Sequence, residues 1–207
     1  MYAPTHTAFE AYSLPGWVGR YLEMKTSPIG IDLIHSFEQF RSKAYKDSGG
    51  VPTIGWGSTR IFGRQVRMND RITRKQADFQ FEKDIYMFEE FVKLYVKVPI
   101  NQNQFDALVS LCYNIGQGGL KRSRVIERLN NSKVEEAAQG FMRHVYARHR
   151  KTKKLMRLKG LVRRREAEKQ LFLTPESGHH LFELVENLKP RGLSRYIFSW
   201  QNKRFNI

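Results

Sequence analysis

Phe37-Glu38-Gln39-Phe40-Arg41-Ser42-Lys43-Ala44-Tyr45-Lys46-Asp47-Ser48-Gly49-Gly50-Val51-Pro52-Thr53-Ile54-Gly55-Trp56-Gly57 is the stretch whose reading decides the fold. Ile31, Ile34, Phe37 and Phe40 recur every three residues, which predicts a helix over 30–40 with one buried stripe. Lys46 to Gly50 reads as a turn. Residues 51–62 are rich in β-formers, and Gly55 and Gly57 interrupt them, so a small twisted hairpin or sheet is expected there. Glu38 therefore sits among apolar neighbours near a helix end, where loss of water favours the protonated acid. Asp47 sits in a polar turn that keeps a carboxylate ionised. Two carboxyl groups in opposed surroundings suit the cleavage of a glycosidic bond. Thr53, six residues beyond Asp47, offers a hydroxyl to help orient a water. On local pattern alone, an ordinary surface glutamate and an ordinary strand threonine fit as well.

Beyond this stretch the pattern is mostly helical. Thr73-Arg74-Lys75-Gln76 has the capping-box form, and a helix is expected from there to about Val96. Phe105, Leu108, Val109 and Cys112 share one helical face over 102–114. Gly116, Gly118 and Gly119 predict a turn. Further helices are expected over 123–130, 134–147 and 163–172. A short sheet around 51–66 would form a small lobe, and the helix from Thr73 would join it to a helical lobe. The expected class is α+β, mostly α.

Residues 1–27 read as an N-terminal extension, 28–174 as the main domain and 175–207 as a C-terminal extension. Phe9, Tyr12, Trp17 and Tyr21 are too apolar for a free tail, so part of the first extension should pack on the domain. The chain has 207 residues, 41% hydrophobic and 13% aromatic, enough for a real core. One cysteine, Cys112, excludes a disulfide framework and a cysteine-based zinc site within the chain. No stretch reaches the roughly 20 apolar residues of a membrane span, and the start lacks the plan of a secretory signal. The expected place of synthesis is a cytoplasm.

Thirty-six Lys and Arg against 20 Asp and Glu give a net charge of +16, which calls for an anionic partner. Between Arg143 and Arg165 there are eleven Lys and Arg and no acid. Nucleic acid, anionic lipid, lipopolysaccharide and wall polymer all suit that charge, as does a merely solvated basic face.

The wider order of motifs chooses among these. Glu38-x8-Asp47-x5-Thr53, with Ala44-Tyr45-Lys46-Asp47 and Thr53-Ile54-Gly55-Trp56-Gly57 in place, resembles the phage-type lysozymes of glycoside hydrolase family 24. Ile72-Thr73-Arg74-Lys75-Gln76-Ala77 is similar to the start of that family's interlobe helix. Asn103 to Ser110, followed by Tyr113-Asn114-Ile115-Gly116, resembles a later block, and Gly160 to Glu168 the closing helix. The four blocks run from about Ile31 to Phe172.

The resemblance implies a two-lobed lysozyme-like fold and a muramidase. Such an enzyme hydrolyses the β-1,4 bond from N-acetylmuramic acid to N-acetylglucosamine in peptidoglycan, with inversion. Glu38 would protonate the leaving oxygen, and Asp47 with Thr53 would direct water to the opposite face. Asn114 would line the saccharide groove, and Arg164 of the Arg163–Arg165 run would pair with Glu38. No metal or cofactor is implied. Ser58 stands where the family carries His, so a contact near the hairpin is expected to be missing.

A phage endolysin would wait in the host cytoplasm until a holin releases it to the periplasm. The alternatives are a virion-associated enzyme docked through its terminal extensions and a secreted effector. The basic run would engage lipopolysaccharide or another anionic envelope surface. A specific nucleic acid is not expected, because no nucleic-acid module is recognisable. A lytic transglycosylase remains the chemical alternative, although it has no use for Asp47 and Thr53. Of the other candidates, His35 lies close enough in sequence to modulate Glu38, His144 and His149 read as surface residues, and Cys112 as a buried apolar residue.

Overall fold

The computed structural model describes residues 15–47, 49–148, 152 and 154–175. Among them the elements are α1 (Gly16–Glu23), α2 (Pro28–Phe37), β1 (Arg41–Lys46), β2 (Pro52–Gly55), β3 (Arg60–Ile61), β4 (Arg64–Gln65), α3 (Arg74–Tyr95), α4 (Gln102–Lys121), α5 (Arg124–Asn130), α6 (Val134–Phe141), β5 (Tyr146–Arg148), β6 (Leu155–Arg157) and α7 (Lys159–Leu173). The class is α+β and mostly α, as expected. No helix among the described residues is long and apolar enough to cross a membrane.

The core is organised around α4. Every residue from Phe105 to Cys112 is buried, so this helix is enclosed on all sides, with α2, α3 and α7 packed against it. Asn101 starts α4 with a reciprocal capping box to Gln104, and Thr73 with Gln76 does the same for α3. The 22 residues of α3 extend about 33 Å, from the small strands to the far helices.

The first extension does pack on the domain from Pro15 onward. The Tyr21 hydroxyl donates to the Val92 carbonyl at 3.0 Å, and the Thr26 amide donates to Glu89 Oε1 at 2.7 Å. Residues 1–14 and 176–207 lie outside the described residues.

Four helices differ from expectation at one or both ends. Helix α2 begins at Pro28 because Ser27 caps it and proline in the first turn has no amide to lose. It ends at Phe37, since Glu38 turns to extended backbone (φ −105°, ψ 122°). Helix α4 continues to Lys121 through a kink at Gly116, whose φ of 72° and ψ of 169° stand in for the expected turn. Helix α6 stops at Phe141 and gives way to a 3₁₀ turn and then β5, because β5 finds a partner in β6 (Tyr146 opposite Arg157). Strand pairing across that distance overrides the local helical pattern. Helix α7 starts at Lys159, four residues before the expected position.

The small lobe contains two hairpins rather than one sheet. Strand β1, absent from the sequence reading, pairs antiparallel with β2, with Tyr45 opposite Thr53 and Lys46 opposite Pro52. Strands β3 and β4 form a separate hairpin.

Candidate active site

Glu38, at the end of α2, accepts a hydrogen bond from Arg164 Nη1 at its Oε1, 2.5 Å away, while its backbone amide donates to the Ile34 carbonyl. Its side chain is 18% exposed and that of Arg164 only 4%. Arg164 uses its other two nitrogens as well, giving Nε to Glu168 Oε1 at 3.0 Å and Nη2 to the Ser110 carbonyl at 3.2 Å. Burial works against the guanidinium charge, but Glu38 and Glu168 outweigh it and raise its pKa above the ordinary value. Glu168 Oε1 also accepts from Ser110 Oγ at 2.7 Å and Arg165 Nη2 at 2.7 Å. The carboxylate at the mouth of the site is thus braced by a guanidinium rooted in the core.

The other wall is backbone. Gly57 adopts φ +104°, and a Cβ there would stand 3.1 Å from Glu38 Oε2. Only glycine tolerates both the dihedral and the crowding. The Tyr113 hydroxyl fixes this turn by donating to the Trp56 carbonyl at 2.8 Å. Burial, then Glu38 and Asp84, push the Tyr113 phenol well above its ordinary value, so it remains a donor.

Asp47 and Thr53 are organised by one residue. Asp47 Oδ1 accepts from the Val51 amide at 2.7 Å, and Thr53 Oγ1 donates to the Val51 carbonyl at 3.0 Å. The β1–β2 pairing, with Tyr45 opposite Thr53, thus ties the loop carboxylate and the buried threonine to the same residue, Val51. Tyr45 senses both carboxylates. Burial raises its phenol first, Glu38 adds to that, Arg41 opposes, and Asp47 adds again.

Asn114 is exposed and lines a groove of about 660 Å³ that runs from Gly57 and Tyr113 along α3. Glu38, Arg164 and Gly57 thus converge, Asp47 and Thr53 share Val51, and Asn114 belongs to the adjoining groove. Gly57, Tyr113, Ser110 and Glu168 were not singled out in the sequence. Helical spacing does signal Glu168, which lies four residues after Arg164 and three after Arg165.

Two expectations need correction. Ser58 does make a contact, because its hydroxyl donates to Asp84 Oδ2 at 2.5 Å, so a hydrogen bond is present where one was expected to be missing. The Arg143–Arg165 run is not wholly a surface. Arg164 and Arg165 are 3% and 0% exposed and face acids inside the domain. Burial lowers the Arg165 pKa despite Glu168.

His35 lies flat against Trp56, with ring centroids 4.3 Å apart, and Arg74 covers the indole ring at 4.1 Å. Burial, then Arg74, lowers the His35 pKa to about 3, so it is neutral near neutral pH. Burial also lowers the pKa of His144, while His149 lies outside the described residues. Cys112 is fully buried and its thiol is pushed up to about 12, which suits an apolar role. Among the described residues no three His, Cys, Asp or Glu side chains converge as a metal site.

The chain is similar to known proteins in both sequence and fold. The sequence profile of the phage lysozyme family matches residues 35–168. The endolysin of Bacillus phage B103 is 40% identical over 159 residues, which cover 74% of this chain and 56% of that protein. The chain therefore spans about half the length of that relative. Among solved structures, the endolysin from Escherichia coli O157:H7 phage FAHEc1 aligns with a TM-score of 0.66 at 37% identity, covering 73% of this chain and 94% of that one. The muramidase domain of SpmX from Asticaccaulis excentricus aligns with a TM-score of 0.65 at 40% identity, covering 74% and 100%. This chain belongs to the phage lysozyme family.

Proposed function

We propose that the chain is a muramidase that hydrolyses the β-1,4 bond between N-acetylmuramic acid and N-acetylglucosamine in peptidoglycan. The observation that carries this reading is the Glu38 carboxylate, held by Arg164 against Gly57 at the end of a groove. In this reading Glu38 protonates the glycosidic oxygen. Asp47 and Thr53, tied to Val51, direct a water to the opposite face of the sugar, and the product is inverted. Asn114 binds the glycan strand in the groove, and Arg164 positions Glu38. The catalytic unit is taken as residues 28–174.

The test is digestion of purified sacculi in ¹⁸O-labelled water, with mass spectrometry of the released fragments. Label at reducing N-acetylmuramic acid ends supports hydrolysis. Unlabelled anhydro ends would make the enzyme a transglycosylase and remove the role of Asp47 and Thr53.

The proposed setting is phage lysis, with storage in the host cytoplasm and release to the wall through a holin. A second surface supports contact with an anionic envelope such as lipopolysaccharide. In the β5–β6 pair, Tyr146 lies opposite Arg157 and Arg148 opposite Leu155, so two cations and two apolar residues share one exposed face. A virion partner for the terminal extensions concerns residues that lie largely outside the described ones.

A further inference from the structure

The order of α1 comes from its surroundings rather than from its own sequence. It has 8 residues, follows Pro15 with no side-chain cap, and buries only Tyr21 among its own residues. A helix this short is marginal in water, so it depends on what covers it. Between α1 and the connection from α3 to α4 runs a groove of about 350 Å³, lined by Trp17, Tyr21, Met24, Pro99 and Ile100, with the exposed Arg20 among them.

Both ends of the described domain meet beside this groove, on the first turns of α4. Gln102 Nε2 donates to the Lys25 carbonyl at 2.9 Å, and Asp106 Oδ1 accepts from the Ser27 amide at 2.9 Å. Asn103 Nδ2 donates to the Thr174 and Pro175 carbonyls at 3.0 and 3.1 Å. Gln102 and Gln104, the sequence neighbours of Asn103, line the groove. The chain therefore leaves α7 next to α1, and the stretch from Pro175 to Leu181 spans up to about 20 Å when extended.

Residues 176–188 lie outside the described ones, but their sequence matches the groove. Leu181, Leu184, Val185 and Leu188 have the i, i+3, i+4, i+7 spacing of one apolar face. Glu176, Glu183 and Glu186 stand in this stretch with no Lys or Arg, although the whole chain carries +16. The groove side offers the opposite sign, because Arg20 lines it and the exposed Lys25 adjoins Gln102. Residues 1–14 carry a single acid, Glu10.

We propose that residues 181–188 dock in this groove as an intramolecular strap, with the leucine stripe on Trp17, Met24 and Ile100 and the flanking glutamates facing Arg20 and Lys25. The strap completes the cover of α1 and ties the C-terminal extension to the N-terminal one, independently of the reaction at Glu38.

The test uses the full-length chain carrying Met24→Cys together with Leu181→Cys, Leu184→Cys or Leu188→Cys in turn; Cys112 is buried and stays out of exchange. At least one pair should close an intrachain disulfide about tenfold faster than the same partner does with Leu22→Cys, since Leu22 is on α1 but not on the groove. In the otherwise native chain, Leu184→Asp should lower Tm by about 2–4 °C and increase binding of a hydrophobic dye, with the initial lysis rate unchanged. Arg20→Glu should lower Tm as well, and adding Glu186→Arg should restore part of the loss. Rates no faster than the Leu22 control in all three pairs would overturn the proposal, as would a predominantly interchain disulfide, which assigns the groove to a second copy. A bridge from Tyr12→Cys to Met24→Cys that forms faster than any of the three would overturn it in favour of residues 1–14. An unchanged Tm in Leu184→Asp would also contradict the strap.

Discussion

Arg164 Nη1 stands 2.5 Å from Glu38 Oε1 and joins residues 126 positions apart in sequence. The same guanidinium contacts Glu168 and the Ser110 carbonyl, so the catalytic candidate is coupled to the core through one side chain.

Arg164→Ala should therefore cost both stability and activity. It strips a buried partner from Glu168, a loss of about 3–5 kcal/mol. Arg164→Lys keeps the charge but not the planar fork, and should recover less than half of that loss. Urea unfolding measures the first effect and lysis rate the second. A stable Arg164→Ala protein with full lysis would contradict the coupling.

Gly57→Ala should harm activity more than stability. The positive φ costs a β-carbon about 1–3 kcal/mol, and that carbon would press on Glu38 Oε2. The expected result is a folded protein with melting lowered by several degrees and kcat reduced more than tenfold. Equal kcat would show that Glu38 does not need this wall.

Stability should respond to pH through two buried groups with opposite signs. Burial raises the Asp106 carboxyl to about 7, against the Ser27 and Gln102 hydrogen bonds, with Glu89 adding to the rise. The stability this proton supplies is complete below pH 4 and is lost as pH climbs toward 7. His35, lowered to about 3, acts in the other direction. Its contribution is complete above pH 6.5 and is lost as pH falls toward 3. Asp106→Asn should remove the first slope, leave stability rising between pH 4 and 6.5, and gain roughly 2–4 kcal/mol at pH 8. Chemical denaturation from pH 4 to 8 checks this. A variant with the wild-type profile would refute the burial account of Asp106.

Glu168→Gln tests the inner end of the relay. Two buried arginines would then face a neutral amide in place of the carboxylate that now accepts from both. Unfolding free energy should drop by about 3 kcal/mol. A marginal change would mean that the two guanidinium groups are satisfied without the charge.

Much of this was legible in the sequence because it is local. The Thr73 and Gln76 capping box, the buried Ile31 and Ile34 of α2, and the spacing of Glu38, Asp47 and Thr53 all depend on neighbours within a few turns. What escaped depends on distant partners. Strand β1 becomes visible only when Tyr45 meets Thr53, and β5 only when Tyr146 meets Arg157. Within the charge run from Arg143 to Arg165 the resemblance points to Arg164 as a partner of Glu38, but nothing local marks Arg165, which α7 turns toward Glu168. Gly57 is quoted easily as part of a motif, but its contact with Glu38 needs α2 and the β2–β3 turn folded together.

The most direct measurement is release of reducing N-acetylmuramic acid ends from outer-membrane-stripped cells by the wild type and by Glu38→Gln, with circular dichroism of both. The account predicts lysis by the wild type and at least a thousandfold slower release by a variant with the same fold. Comparable release by a well-folded Glu38→Gln protein would contradict the assignment of Glu38 as the acid.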